Sequence, residues 1–246
     1  MGSIVEFPSN GSTGSGYFAP ADGGGPGVIV IQEWWGLVPH IIDVCDRFAA
    51  AGFSALAPDL YHGDAASNSE PDEAGKLMMA LSVSRAAKDM SGAVKFLQGA
   101  DAVTSDGVGV IGFCMGGGYA LALATDPTYR VVSTNYGGCP KDAEAALEGA
   151  CPIVASYGGV DTSPMGASAG QRLDAALTTL GVDHDVKIYP NAGRGSMNDH
   201  DPADQTPLLM FLARISHTRY DPDATEDARH RIVEFFQRHL VADAPG

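Results

Sequence analysis

Short apolar runs bounded by glycine, proline or polar clusters alternate along this chain with stretches whose apolar residues recur every three or four positions. Residues 3–19 carry two β-like pieces, Ile4 to Phe7 and Gly16 to Ala19, around a Gly/Ser/Asn turn, and predict an edge hairpin. A Gly/Pro loop from Gly23 to Gly27 leads into Val28–Ile31, a continuous apolar run of the kind that marks a strand buried on both faces. Ile41, Val44, Cys45 and Phe48 then fall at helical spacing, with Gly52 as the stop. Phe53–Ala57 predicts the next strand, closed by Pro58-Asp59-Leu60-Tyr61. A polar loop over 62–72 precedes helices near 73–81 and 84–98, the second with Met90, Ala93, Val94 and Leu97 on one face and Gly99 at its end. Beyond a strand-like run at 107–112, further strands are expected at Val131–Tyr136, Pro152–Tyr157 and Val186–Tyr189. Helices are expected at 141–148, at 167–180 with Gly181 as stop, and at the C-terminus with Ile232, Phe235, Phe236 and Leu240 inward. This alternation predicts one α/β domain over 1–246, a mostly parallel sheet with helices on both faces.

Composition narrows the class without changing the fold. A chain of 246 residues suits one α/β domain with a large core. The formal net charge of −15 argues against nucleic acid and anionic membrane partners, which recruit Lys and Arg. No stretch approaches the apolar length of a membrane span, and the N-terminus lacks a basic region followed by an apolar one. A cytoplasmic location is therefore expected, and Asn10-Gly11-Ser12 reads as a turn. Cys45, Cys114, Cys139 and Cys151 show no paired C-x-x-C spacing and read as thiols. A Cys139–Cys151 disulfide is formally open, but a reducing compartment opposes it.

The chemistry concentrates in Gly112-Phe113-Cys114-Met115-Gly116-Gly117-Gly118, where an apolar strand breaks and a small-residue helix begins. Glycines on either side of one reactive residue suit a sharp strand-to-helix turn, whose strained centre tolerates no neighbouring Cβ. Such a nucleophile elbow lifts the side chain above a helix N-terminus, where amide donors meet an oxyanion and favour a thiolate. Two other readings compete. Gly107-x-Gly109-x-x-Gly112 matches the dinucleotide pattern, but two of its glycines lie inside the strand rather than opening the helix. Free cysteine is also among the most buried residue types, so Cys114 could be plain core.

Further polar clusters sit at predicted strand ends: Gln32-Glu33-Trp34-Trp35-Gly36, Pro58-Asp59-Leu60-Tyr61 and Gly158-Gly159-Val160-Asp161. Together with the elbow they resemble the dienelactone hydrolase family of α/β-hydrolases over roughly residues 15 to 240. The resemblance implies Cys114 as nucleophile, Asp161 as triad acid and Glu33 as the glutamate beside the thiol that helps to activate it. It implies an oxyanion hole from the backbone amides of Trp34 and Met115. Asp161 could instead cap the helix that follows, and Glu33 could be a solvated carboxylate.

One position departs from the family. The loop after the last strand reads Tyr189-Pro190-Asn191-Ala192-Gly193-Arg194, with arginine where the resemblance implies the histidine base. A guanidinium stays charged at ordinary pH and takes no proton from a thiol. Its charge should nevertheless favour a thiolate at Cys114. Loss of the base should harm deacylation most, and His200, six positions on, is the nearest substitute. Asp199-His200-Asp201 lacks the matching histidines that a metal site needs, so neither metal nor cofactor is expected.

The expected substrate is a small ester, lactone or carboxylate-bearing molecule. Trp35, Tyr61, Phe113 and Tyr136, with Trp34, read as an aromatic pocket wall or as core. The resemblance implies arginines that hold a substrate carboxylate, for which Arg85 and Arg194 are candidates, although Arg85 reads more simply as a surface helix charge. The leading expectation is a cysteine-dependent ester or lactone hydrolase with an impaired or rerouted base. The alternative is a catalytically silent relative that binds a small acidic or acyl ligand in the same pocket.

Overall fold

The computed structural model describes residues 2–9, 11–66, 70–198 and 217–241. Eight strands form one sheet: β1 (Ser3–Ser9), β2 (Ser12–Ala19), β3 (Gly27–Ile31), β4 (Ser54–Pro58), β5 (Val108–Phe113), β6 (Tyr129–Asn135), β7 (Ile153–Gly158) and β8 (His184–Tyr189). Their spatial order is β1-β2-β4-β3-β5-β6-β7-β8. β1 and β2 form the expected edge hairpin and β2 runs antiparallel to β4, while every later neighbour pair is parallel.

Seven helices are described: α1 (Pro39–Ala50), α2 (Pro71–Ala80), α3 (Val83–Gly99), α4 (Met115–Ala122), α5 (Ala143–Ala146), α6 (Ala167–Leu180) and α7 (Pro222–Leu240). Strand residues alternate between the sheet's two faces, so each continuous apolar run feeds two cores at once. Ile29, Ile31, Val108 and Val110 pack with Met90, Val94 and Leu97 of α3 and with Leu173 and Leu177 of α6. Val28, Val30, Ile111 and Phe113 face Ile41, Val44 and Phe48 of α1 and Ile232, Phe235 and Phe236 of α7. Helix periodicity thus delivered the inward face of α1 residue for residue, while the residues expected inward in α3 and α7 are all buried and are joined there by Ala86 and Asp89 and by Ala224, Thr225 and Ala228.

The glycines that mimic a dinucleotide pattern have a packing explanation. A Cβ on Gly109, inside β5, would stand 2.7 Å from Cε1 of Phe236. The missing side chain is the space that α7 occupies.

β3 and β5 lie side by side, yet the chain leaves them in opposite directions across the sheet: from β3 by way of α1 to β4, and from β5 by way of α4 to β6. The crevice beyond their C-terminal ends is where open parallel sheets hold ligands. Gln32–Trp35 and Cys114 both emerge there.

Candidate active site

Cys114 separates β5 from α4 with φ 54° and ψ −113°, a left-handed conformation that a non-glycine residue adopts at a cost of about 1–3 kcal/mol. Tight flanking contacts hold it there. A Cβ on Gly112 would lie 2.0 Å from the Gly116 carbonyl oxygen, and one on Gly116 would lie 2.5 Å from that of Gln32. The Cys114 amide donates to the Asn135 carbonyl at 3.0 Å, and the Asn135 side-chain amide donates to the Gly112 carbonyl at 3.3 Å. The sharp turn anticipated from glycine spacing is therefore present, and Cys114 stands partly exposed at its apex.

Arg194 reaches this sulfur from the loop after β8. Its Nη2 donates to Cys114 Sγ at 3.0 Å and to Met165 Sδ at 3.4 Å, while Nη1 lies 3.7 Å from Asp161 Oδ2. The Asp161 side chain is fully buried and its Oδ1 accepts the Ser163 amide at 2.8 Å. Gly166, not Asp161, precedes the first turn of α6, so the capping alternative does not hold. The Arg194 loop is pinned at both ends: Val160 donates to the Ala192 carbonyl at 3.1 Å, and the Thr225 hydroxyl of α7 donates to that of Ser196 at 2.7 Å.

Glu33 is buried beside them, 4% exposed, and is no solvated carboxylate. The Tyr136 hydroxyl donates to Oε1 at 3.1 Å, and Asn198 Nδ2 donates to Oε2. Tyr136 has φ 41° just past β6, and its amide bonds to the Ser156 carbonyl at 2.8 Å. Burial pushes the Glu33 carboxyl up to about 7, against the opposing pull of Tyr136, Asn198 and Arg194.

The same balance corrects one expectation about Cys114. Arg194 does favour the thiolate, as does the Met115 amide, but burial of the sulfur outweighs both. With the negative charge of Glu33 adding to burial, the thiol ionises above its ordinary range. On Arg194, burial works against the charge, yet the sulfur and Asp161 more than offset it.

The remaining candidates separate. Tyr61 stands at the crevice, its hydroxyl donating to the Trp34 carbonyl at 3.2 Å and toward Met115 Sδ at 3.8 Å. Trp34 is partly buried, whereas Trp35 is buried against Ala66 and Ala74, beneath α2. Phe113 belongs to the α1/α7 core, 6.2 Å between ring centres from Tyr136 and 5.8 Å from His40. With Ile111 and Met197 it lines a cavity of about 170 Å³ on that side of the sheet. Arg85 sits half-exposed on α3, 4.0 Å from Asp89, which also accepts from Ser9 and contacts His62 at 2.8 Å. Phe113, Trp35 and Arg85 thus lie in packing or in a separate polar cluster. His200 lies outside the described residues. Asn198 escaped sequence reasoning altogether, since a lone asparagine in a loop carries no local signal of chemistry.

Among the described residues no group of three His, Cys, Asp or Glu side chains is arranged to hold a metal ion, and no helix is long and apolar enough to cross a membrane. The four cysteines are unbridged.

A mostly parallel eight-stranded sheet, helices on both faces and a strained residue on the elbow after β5 define the α/β-hydrolase fold. The chain belongs to the dienelactone hydrolase family, whose family model matches residues 15–240. It is 35% identical to Protein usf of Aquifex pyrophilus, over 98% of this chain and all of that protein. It is 31% identical to a "Putative carboxymethylenebutenolidase" of Aquifex aeolicus, again over 98% of this chain and all of the relative. The crystal structure of a "Putative Dienelactone Hydrolase" from Klebsiella pneumoniae superposes with a TM-score of 0.78 at 22% identity, covering 97% of this chain and 98% of the other. At that identity the last likeness speaks for the fold.

Proposed function

We propose that this protein hydrolyses small carboxylic esters or lactones through a covalent intermediate on Cys114. The observation that carries this reading is the placement of the Cys114 sulfur at a strained elbow, 3.0 Å from Arg194 Nη2 and directly above the start of α4. A thiolate there attacks the acyl carbon and forms a thioester. The amides of Trp34 and Met115 receive the oxyanion, a role supported for Met115 by its amide facing the Cys114 sulfur. Expulsion of the alkoxide or ring oxygen, which takes up the proton that the Cys114 thiol gave up, completes acylation.

Arg194 occupies the position where the family resemblance implies an imidazole, and the Asp161 carboxylate 3.7 Å away completes an ion pair instead of a triad. Arg194 can hold the thiolate, or a carboxylate on the substrate, but cannot accept a proton. Acylation therefore outpaces deacylation. Tyr61 and Trp34 at the crevice suit an unsaturated or aromatic acyl group. Unbridged cysteines and thiol chemistry accord with a cytoplasmic protein.

The test is p-nitrophenol release from p-nitrophenyl acetate. A burst of about one equivalent followed by a slow steady state is expected, and Cys114→Ala should abolish both phases. An unchanged time course in Cys114→Ala would overturn the proposal.

A further inference from the structure

Among the described residues the sulfur has a cation beside it and no imidazole, so the thioester needs another proton acceptor. We infer that Glu33, positioned by Asn198 and Tyr136, is the general base that activates water for breakdown of the Cys114 thioester. The inference rests on the proposal that Cys114 is acylated.

Three features of the geometry support it. First, among the described residues Glu33 and Asp161 are the carboxylates in electrical contact with the Cys114–Arg194 pair. Asp161 spends its charge on Arg194. Among the described residues Glu33 has no arginine partner in hydrogen-bond contact; its two oxygens take neutral donors, the Tyr136 hydroxyl and the Asn198 amide.

Second, both neutral donors can reverse. A phenolic hydroxyl donates or accepts by rotating its hydrogen, and an amide does so by turning half a revolution about its terminal bond. Asn198 Oδ1 is buried with no hydrogen-bond partner among the described residues. Turned toward Glu33, that oxygen accepts the proton of the carboxylic acid; as it stands, Nδ2 serves the carboxylate. The pocket can thus satisfy Glu33 in either protonation state, which is what a group that repeatedly gains and loses a proton requires. A structural carboxylate is ordinarily locked by fixed donors into its ionised form.

Third, among the described residues the charged and titratable groups facing Glu33 from each packed element are Tyr136, Arg194 and Cys114. Once Cys114 is acylated its sulfur can carry no negative charge. Burial still holds Glu33 near neutrality, where a base transfers protons most effectively.

The step balances as follows. Glu33 takes one proton from a water molecule, and the water oxygen bonds to the thioester carbon. The resulting oxyanion collapses, the C–S bond breaks, and the electron pair leaves on sulfur beside Arg194. The carboxylic acid departs, and the proton on Glu33 passes to the sulfur, which restores both groups.

The experiment follows decay of the acetyl adduct on Cys114 by peptide mass spectrometry, after brief reaction with p-nitrophenyl acetate and removal of the ester. The intact chain is compared with Glu33→Gln, Asn198→Ala, Tyr136→Phe and His200→Ala across pH 5 to 9. Decay in the unaltered protein should rise with pH through about 7. Glu33→Gln should slow it roughly 10²–10⁴-fold and remove that rise. Asn198→Ala and Tyr136→Phe each remove a donor to the carboxylate, so the inflection should move to higher pH, a displacement that mere loosening of the fold does not produce. Decay unaffected by Glu33→Gln, an inflection that stays in place in both donor variants, or slowing confined to His200→Ala would overturn the inference. Absence of any adduct on Cys114 would instead overturn the underlying proposal of acylation, and this one with it.

Discussion

Arg194 directs one terminal nitrogen at Cys114 Sγ, 3.0 Å away, and the other toward Asp161 Oδ2 at 3.7 Å, bridging the sulfur and the buried carboxylate. A charge placed so stabilises a thiolate both before attack and as a leaving group, yet it contributes nothing to proton transfer. The chemistry of the site follows from that separation of roles.

Arg194→His should restore the missing base between the sulfur and Asp161. Steady-state hydrolysis of p-nitrophenyl acetate is expected to rise by about 10²-fold or more, the usual contribution of a positioned imidazole. Turnover unchanged by the substitution would show that Arg194 is not what limits the reaction.

Thiol reactivity should follow the local charges. Loss of the cation in Arg194→Gln raises the pKa of Cys114 further, leaving less thiolate, so alkylation by iodoacetamide at pH 8 should slow. Loss of the anion in Glu33→Gln lowers it, so alkylation should accelerate. Changes of the opposite sign, read against Cys114→Ala as background, would refute the electrostatic account.

Much of this arrangement is legible in the sequence because it is local. Two glycines flanking one cysteine signal an elbow, since a Cβ on Gly112 would strike the backbone of Gly116 within the turn, while one on Gly116 would strike that of Gln32 on the neighbouring strand's end. Apolar periodicity orders the strands and turns each helix, because it reports directly on burial. The partners of Glu33 are another matter: Tyr136 and Asn198 lie 103 and 165 positions away and meet it only through the order of the sheet. Of the two readings open for Phe113, pocket wall or core, the structure selects core for a related reason. It precedes Cys114 in the chain, but strand alternation sends its ring to the α1/α7 face. Likewise Trp35 follows Trp34, and yet it is buried beneath α2 instead of forming a wall of the crevice.

Glu33 also links stability to pH. Its carboxyl is raised from an ordinary 4.5 to about 7 by burial, so the folded state favours the protonated form. That contribution is complete below pH 4.5 and is lost as pH rises through 7, reaching about 3 kcal/mol. Glu33→Gln, neutral at every pH, should therefore gain in melting temperature relative to the unaltered protein as pH rises from 5 to 8. A constant difference across that range would contradict the burial argument.

Gly109→Ala probes the packing that carries the elbow. The added methyl would meet Phe236 at 2.7 Å, and overpacking of this kind costs about 1–3 kcal/mol. Denaturant unfolding should show the loss, with the elbow chemistry of folded molecules retained.

The central claim, that Cys114 is acylated readily and released slowly because Arg194 cannot serve as a base, is tested most directly by quenching p-nitrophenyl acetate reactions over time and mapping acetylated peptides. The acetyl group should accumulate on Cys114 to nearly one equivalent in the unaltered protein and fail to accumulate in Arg194→His. An acetyl group found on another residue, or equal accumulation in both proteins, would contradict the account.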